Sequence, residues 1–168
     1  KAPLVNAIAA MNAAKVKLNG DTDLATAKAD YAAIFKDNRI NMVILPQERA
    51  IKSTSLDGYR LATSTAYSVE LQAKIDAAKA AGKDVTAAQA ALDAGKAKLA
   101  TVSTKITYEL SEAAKLVVDH GDKTLVAANR VADANVKAAR KAINVAFEGA
   151  KADWKAVLAA LTGSDAAN

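Results

Sequence analysis

The feature that most constrains this chain is a regular helical repeat of apolar residues near its C-terminus. Between Leu125 and Leu161, apolar residues recur at steps of three or four positions, which is about one residue per turn of an α-helix. The pattern predicts one uninterrupted helix that ends at Gly163, because glycine is favoured just beyond a helix C-terminus. Residues 164–168 are then expected to form a frayed C-terminal tail.

The same spacing, punctuated by glycine, proline and aspartate, predicts four further helices upstream. Two are short and two are long, and they cover residues 3–18, 24–38, 46–81 and 85–117. At a rise of about 1.5 Å per residue, each of the three longest helices of the chain would extend for about 50 to 60 Å.

Glycine-containing reversals after Ala81 and His120 predict that the long helices are antiparallel neighbours. We therefore predict an all-α fold: an elongated antiparallel helical bundle of three long helices and two short N-terminal helices, forming a single domain over residues 1–163. Alanine makes up about a quarter of the chain and buries little area per residue, so the core should be thin and the helices closely spaced.

One apolar segment interrupts the helical pattern and ends in a proline. We predict that it is extended, because Pro46 disfavours helical geometry at the residue before it. It would be either a buried linker that caps the core or an edge with which another molecule pairs, and the linker is favoured. The candidate interaction residues are Arg39, Ile40, Met42, Val43, Ile44, Leu45 and Pro46.

Residues that support catalysis are almost missing from the sequence. There is one histidine, His120, and no cysteine, and no Ser or Cys nucleophile is identifiable near a second base. His120 lies at a predicted helix C-terminus, where capping explains it better than catalysis. We predict that the protein is not an enzyme.

The sequence also gives no pattern typical of a metal or cofactor site. Asp21, Asp23, Asp30 and Asp37 lack the spacing of a helix-loop-helix calcium motif, and helix N-capping by Asp21 or Asp23 explains them better. The glycines form no phosphate-binding loop, because whole helical stretches separate them. We predict no metal and no cofactor, and the sequence leaves any small-molecule ligand open.

The charged and aromatic residues argue against nucleic acid and against a membrane span. The net charge of +5 is modest, and seven aromatic side chains do not form a series of stacking platforms. The longest strongly apolar run covers residues 42–45 and is too short to cross a bilayer. A solvated surface explains the basic residues of the last helix, namely Lys137, Arg140, Lys141, Lys151 and Lys155. Trp154 is expected to anchor the core.

Several stretches together resemble a known group of sequences. They are residues 21–26, 34–35, 39–40 and 43–46, the stretch 81–92 that begins Ala-Gly-Lys-Asp, Gly121-Asp-Lys, and Ala138-Ala-Arg. The chain resembles uncharacterised, predicted exported, alanine-rich helical bacterial proteins over most of residues 21–158. The resemblance implies an extracellular or cell-surface setting, with any signal peptide already removed. Asn41 stands where the resemblance leads us to expect an aromatic residue.

These observations lead to two hypotheses of function. The first is a secreted or cell-surface helical structural or interaction protein, a subunit of an extracellular assembly or filament, which associates with itself or with another surface protein. The second is a carrier whose helical bundle opens to hold a lipid or another apolar ligand, motivated by the weak helix propensity of residues 53–65.

Overall fold

The computed structural model describes residues 2–163 of the chain, and the side chains of residues 4–163. The described chain is helical, with no strand in that range, so the all-α prediction is confirmed. The helices are α1 (Ala2–Gly20), α2 (Leu24–Asn38), α3 (Leu45–Ala80), α4 (Thr86–Ala100), α5 (Val102–Ala114) and α6 (Lys123–Gly163). The predicted frayed tail at residues 164–168 lies outside the described residues.

Helix boundaries at the N-terminal end and along α6 follow the predicted signals. Asp23 is the N-cap of α2, and its Oδ1 accepts hydrogen bonds from the backbone N–H groups of Ala25 and Thr26, each at 2.9 Å. Asp122 caps α6 in the same way, through the N–H groups of Thr124 and Leu125. These carboxylates satisfy N–H groups that have no partner within the helix itself.

The prediction that the segment before Pro46 is extended is wrong. Arg39 adopts a left-handed conformation (φ 41°, ψ 39°) that ends α2, and Ile40–Ile44 then form a π-helical turn that leads directly into α3. The N–H of Val43 donates to the carbonyl of Arg39 at 2.8 Å, so the segment satisfies its own backbone. Pro46 fits because the first turn of a helix does not need its N–H group.

The predicted long helix over residues 85–117 is divided in the structure. It is broken at Thr101, whose backbone N–H and side-chain hydroxyl both donate to the carbonyl of Lys98, at 3.3 Å and 2.9 Å. A threonine hydroxyl that bonds to a nearby carbonyl competes with the regular helical pattern. The chain therefore has two long helices, α3 and α6, within the described residues, and the third is replaced by α4 and α5.

Helix α5 also ends earlier than predicted, because side chains from other helices bind the backbone that follows it. The Asn129 side chain accepts from the N–H of Val117 at 3.0 Å and donates to its carbonyl at 2.7 Å. The Gln47 side chain donates to the carbonyl of Leu116 at 2.8 Å. These side-chain hydrogen bonds replace the backbone hydrogen bonds of a longer helix. The polar backbone groups after α5 therefore have partners although the chain is irregular there.

The contacts divide the chain into two compact units, to which α3 and α6 both contribute. The first unit contains the chain up to Thr54 together with Glu109–Lys137, and the second contains Ser55–Tyr108 together with the chain from Ala138 onward. Whether residues 1–163 behave as one domain stays a prediction.

The second unit holds a continuous apolar core, in which Trp154 is 9% exposed and serves as the predicted anchor. Its buried members are Leu71, Ile75, Ala88, Leu92, Leu99, Val102, Ile143, Ala146, Phe147, Ala150, Trp154 and Val157. The described side chains of the first unit form two small clusters instead. One contains Val43, Ile44, Leu116 and Ala132, and the other contains Ala50, Ala113 and Val136.

Candidate interaction site

The predicted interaction segment has one buried side and one accessible side. Val43 and Ile44 are 2% and 9% exposed, and they pack with Leu116 and Ala132, with Ala7 of α1 against the same cluster. The remaining candidates, Arg39, Ile40, Leu45 and Pro46, are half-buried, and Met42 is exposed. The segment therefore fills part of the core of the first unit and also contributes to its surface.

An ion pair fixes the start of this segment. Arg39 donates from Nε and Nη2 to the same oxygen of Asp119, at 3.0 Å and 2.6 Å, and the Asp119 side chain is fully buried. Burial opposes ionisation of Asp119, but the bonds from Arg39 and from the N–H of Gly121 outweigh it, so the pKa of Asp119 lies below its usual value. The pair joins residues that are 80 positions apart, and no local pattern in the sequence indicates it.

A cavity of about 360 Å³ lies beside the segment within the first unit. Helices α1 and α2 and the π-helical turn all contribute to its wall. The lining residues are Met11, Ile34, Phe35, Asn38, Arg39, Ile40, Asn41 and Met42. Three of the predicted interaction residues, Arg39, Ile40 and Met42, thus share a cavity with residues of α1 and α2 that were not among the predicted interaction residues.

Helices α1 and α2 leave many large apolar side chains exposed. No side chain of α2 is buried, and the same holds for the described side chains of α1. Phe35 and Tyr31 contact each other edge to face, with ring centroids 5.1 Å apart, and remain 58% and 57% exposed. The other exposed members are Leu4, Val5, Ile8, Val16 and Leu24. Scattered apolar residues are normal on a surface, whereas a concentration on one pair of helices is typical of an interaction surface.

His120 does not cap a helix, so that prediction is wrong. Helix α5 ends at Ala114, and His120 lies beyond it in a left-handed conformation (φ 47°). Its Nδ1 is 2.9 Å from Oδ1 of Asp37, and both side chains are largely exposed. The contact is a surface link between α2 and the loop that precedes α6.

The N-terminal acidic residues have separate structural roles. Asp23 caps α2, and Lys17 donates to Asp30 at 2.8 Å, which links α1 to α2. Burial, followed by the neighbouring charge of Asp30, raises the pKa of Asp21. Within residues 2–163, no three or more His, Cys, Asp or Glu side chains are grouped so that they could hold a metal ion.

Three of the basic residues singled out on α6 have contacts that the structure defines. Lys137 pairs with Asp133 at 2.6 Å and Lys151 lies 3.6 Å from Glu148, each on the same helix. Lys141 lines a shallow, alanine-rich groove of about 840 Å³ between α6 and the α4–α5 pair in the second unit. Short-range pairing and exposure of this kind are typical of a solvated helix surface.

Comparison with models of protein families, with curated proteins and with solved structures gave no match. The resemblance to exported alanine-rich helical proteins therefore stays a prediction. Across the part of the chain that the structure describes, no helix combines the length and the apolar character needed to cross a membrane.

Proposed function

We propose that this protein works by association, as a secreted or cell-surface helical structural or interaction protein and a subunit of an extracellular assembly. The observation that carries the proposal is the set of exposed apolar side chains on α1 and α2. Val5, Ile8, Val16 and Leu24 are between 54% and 73% exposed, and neither helix has a buried side chain among those described. Two helices that bury so little apolar surface within their own chain gain stability when a partner covers them.

The partner that we propose first is a second copy of the chain. A stable interface of standard size buries about 800 Å² on each partner, and it is built around aromatic and aliphatic anchors. The edge-to-face pair of Tyr31 and Phe35 supplies such anchors on α2, while Val5 and Ile8 supply aliphatic ones on α1. The extracellular setting rests on the resemblance described above.

The arrangement within the second unit supports the antiparallel bundle that we infer for the chain. Gln72 of α3 donates to Gln89 of α4 at 2.8 Å. Leu61, earlier on α3, lines a cavity with Ser103, later in the chain on α5. Helix α3 therefore runs in the opposite direction to α4 and α5. Helices that are joined by short reversals pack in this way. The elongated shape stays a prediction.

The mass of the native protein at high and low concentration, measured by light scattering, tests the proposal. We expect the native chain to form assemblies that dissociate on dilution. The double variant Val5→Glu/Ile8→Glu should remain monomeric, because two carboxylates cannot be covered by an apolar partner. The matched control Val69→Glu replaces a residue of α3 that is 66% exposed, and should assemble like the native chain.

Circular dichroism of each variant establishes that its helix content is retained. A native chain that stays monomeric at every concentration and binds no cell surface would overturn the proposal. Equal assembly of the α1 variant and the native chain would overturn the assignment of the interface to α1 and α2. Negative-stain microscopy of the assembled fraction then distinguishes filaments from closed particles.

A further inference from the structure

The cavity beside the π-helical turn has the dimensions and the wall of a small ligand site. Its volume of about 360 Å³ lies at the lower end of the range of about 300 to 1,000 Å³ that ligand pockets occupy. Most of its wall is apolar and comes from Met11, Ile34, Phe35, Ile40 and Met42. The two methionines have flexible side chains that adapt to the shape of an apolar occupant.

A positively charged donor lies at one side of this apolar wall. Nε and Nη2 of Arg39 are held by Asp119, while Nη1 points to Sδ of Met42 at 3.9 Å. Sulfur is a weak acceptor, so an oxygen that enters the cavity would bind Nη1 in preference. The amides of Asn38 and Asn41 are the other polar side chains among the described residues of the wall, and none of these residues is a carboxylate.

We propose that this cavity binds a medium-chain carboxylate, with the alkyl chain among Met11, Ile34 and Phe35 and the carboxylate at Nη1 of Arg39 and the amide of Asn41. The limited volume favours a single chain over a two-chain lipid. The ion pair with Asp119 holds the guanidinium in place before the ligand arrives, so binding does not have to order it. The proposal does not depend on self-association, although Phe35 belongs both to the cavity wall and to the proposed interface.

Isothermal titration with hexanoate, octanoate and decanoate, all below the concentrations at which they form micelles, tests the proposal. Each added methylene should tighten binding about fourfold until the cavity is full. Octanol, which has the same chain length as octanoate without the charge, should bind at least tenfold more weakly, since a charge-assisted hydrogen bond is lost.

Three variants locate the binding site. Ile34→Trp should abolish binding, because the larger side chain fills the cavity, whereas Ile51→Trp on α3, at a position 40% exposed, should leave it unchanged. Asn41→Ala should weaken octanoate binding severalfold and octanol binding less, because the Asn41 amide bonds more strongly to a charged carboxylate than to a hydroxyl.

Three results would overturn the proposal: no binding of any of the three carboxylates, equal binding by native protein and Ile34→Trp, or binding that begins only when micelles form. Light scattering of Ile34→Trp separates this site from the proposed function. Loss of octanoate binding with assembly retained supports the cavity as a distinct site. Octanoate binding that is retained by the monomeric Val5→Glu/Ile8→Glu variant shows that the cavity works without assembly, so either proposal can fail without the other.

Discussion

The two units of this chain are stabilised by different means, although both are built from alanine-rich helix. The second unit buries one apolar cluster that includes Leu71, Ile143 and Trp154. The first unit has two small clusters and relies on polar contacts between distant residues, such as Arg39 with Asp119 and Asn129 with the backbone of Val117. Apolar repetition is enough to define regular helices, whereas irregular backbone needs specific hydrogen bonds to define its path.

The largest effect should come from truncation of the apolar core in the second unit. Leu71 is completely buried, so Leu71→Ala should lower the free energy of unfolding by about 2 to 5 kcal/mol through lost burial and the cavity that remains. Urea denaturation measures the change. Val69→Ala, at a position that is 66% exposed, is the control and should change stability by less than about 0.5 kcal/mol.

Ile44→Ala makes a similar truncation in the first unit and should cost less than Leu71→Ala. Ile44 belongs to a cluster of only four buried residues among those described, and it is itself 9% exposed. An equal or larger loss for Ile44→Ala would mean that the first unit also depends mainly on apolar burial, and the contrast between the units would fail.

The next effect should come from the ion pair, and it should depend on pH. Arg39→Met leaves the buried carboxylate of Asp119 without its partner, so its pKa should rise and the melting temperature at pH 7 should fall. In the native chain the pKa of Asp119 is lowered. The pair therefore stabilises the fold above the usual carboxyl pKa of about 4, and this stability is lost as the pH falls through the lower folded value.

Thermal unfolding should therefore show a gap in melting temperature between native protein and Arg39→Met that is smaller at pH 3 than at pH 7. Lys137→Met removes an ion pair on α6 in which the lysine side chain is 74% exposed, and it should have little effect at either pH. A gap that is unchanged or wider at pH 3 would contradict the assigned role of Asp119.

A smaller loss is expected from Asn129→Ala, which removes both side-chain bonds to Val117. The Asn129 side chain bonds to one N–H and one carbonyl, and the residue is 2% exposed. The free energy of unfolding should therefore fall by about 1 to 3 kcal/mol, because two backbone groups lose their partner. Asn144→Ala in the second unit is the control, because Asn144 is exposed and accepts a bond of 3.2 Å from Arg60. Equal losses in urea denaturation would contradict the view that polar contacts matter more in the first unit.

The sequence predicts the second unit better than the first, for physical reasons. A repeat of three and four residues places Ile143, Trp154 and Val157 on one helix face, and all three are buried. The same spacing places Leu4 and Ile8 on one face of α1, but they are 41% and 54% exposed. Periodicity defines a face of a helix, whereas burial of that face depends on which other elements pack against it.

Only part of the candidate site is predictable from the sequence. The apolar segment before Pro46 is recognisable from its composition, and Val43 and Ile44 are indeed buried. Its π-helical turn is not predictable, because it depends on the left-handed Arg39 and on Asp119, which is distant in the sequence. The cavity is not predictable from the sequence either, because Met11 and Ile34 of its wall come from different helices.

The smallest effects should come from two glycines in the helices of the second unit, and only one of the two substitutions should stabilise the protein. An alanine at either position favours helix by about 0.5 to 1 kcal/mol. At Gly149, the added Cβ would lie 2.9 Å from Cδ of Lys98, a flexible side chain that can move, so Gly149→Ala should stabilise the protein slightly. At Gly95, the Cβ would lie 3.2 Å from Nε1 of Trp154.

The indole of Trp154 cannot move as freely, because it is 9% exposed and packs edge to face against Tyr67, with ring centroids 5.5 Å apart. Gly95→Ala should therefore give no stabilisation or a small loss, and it should shift the emission of Trp154, the only tryptophan of the chain. Equal stabilisation by both variants, with unchanged emission, would mean that the core around Trp154 has room to adjust. The second unit would then be stabilised by apolar burial that does not require close packing around Trp154.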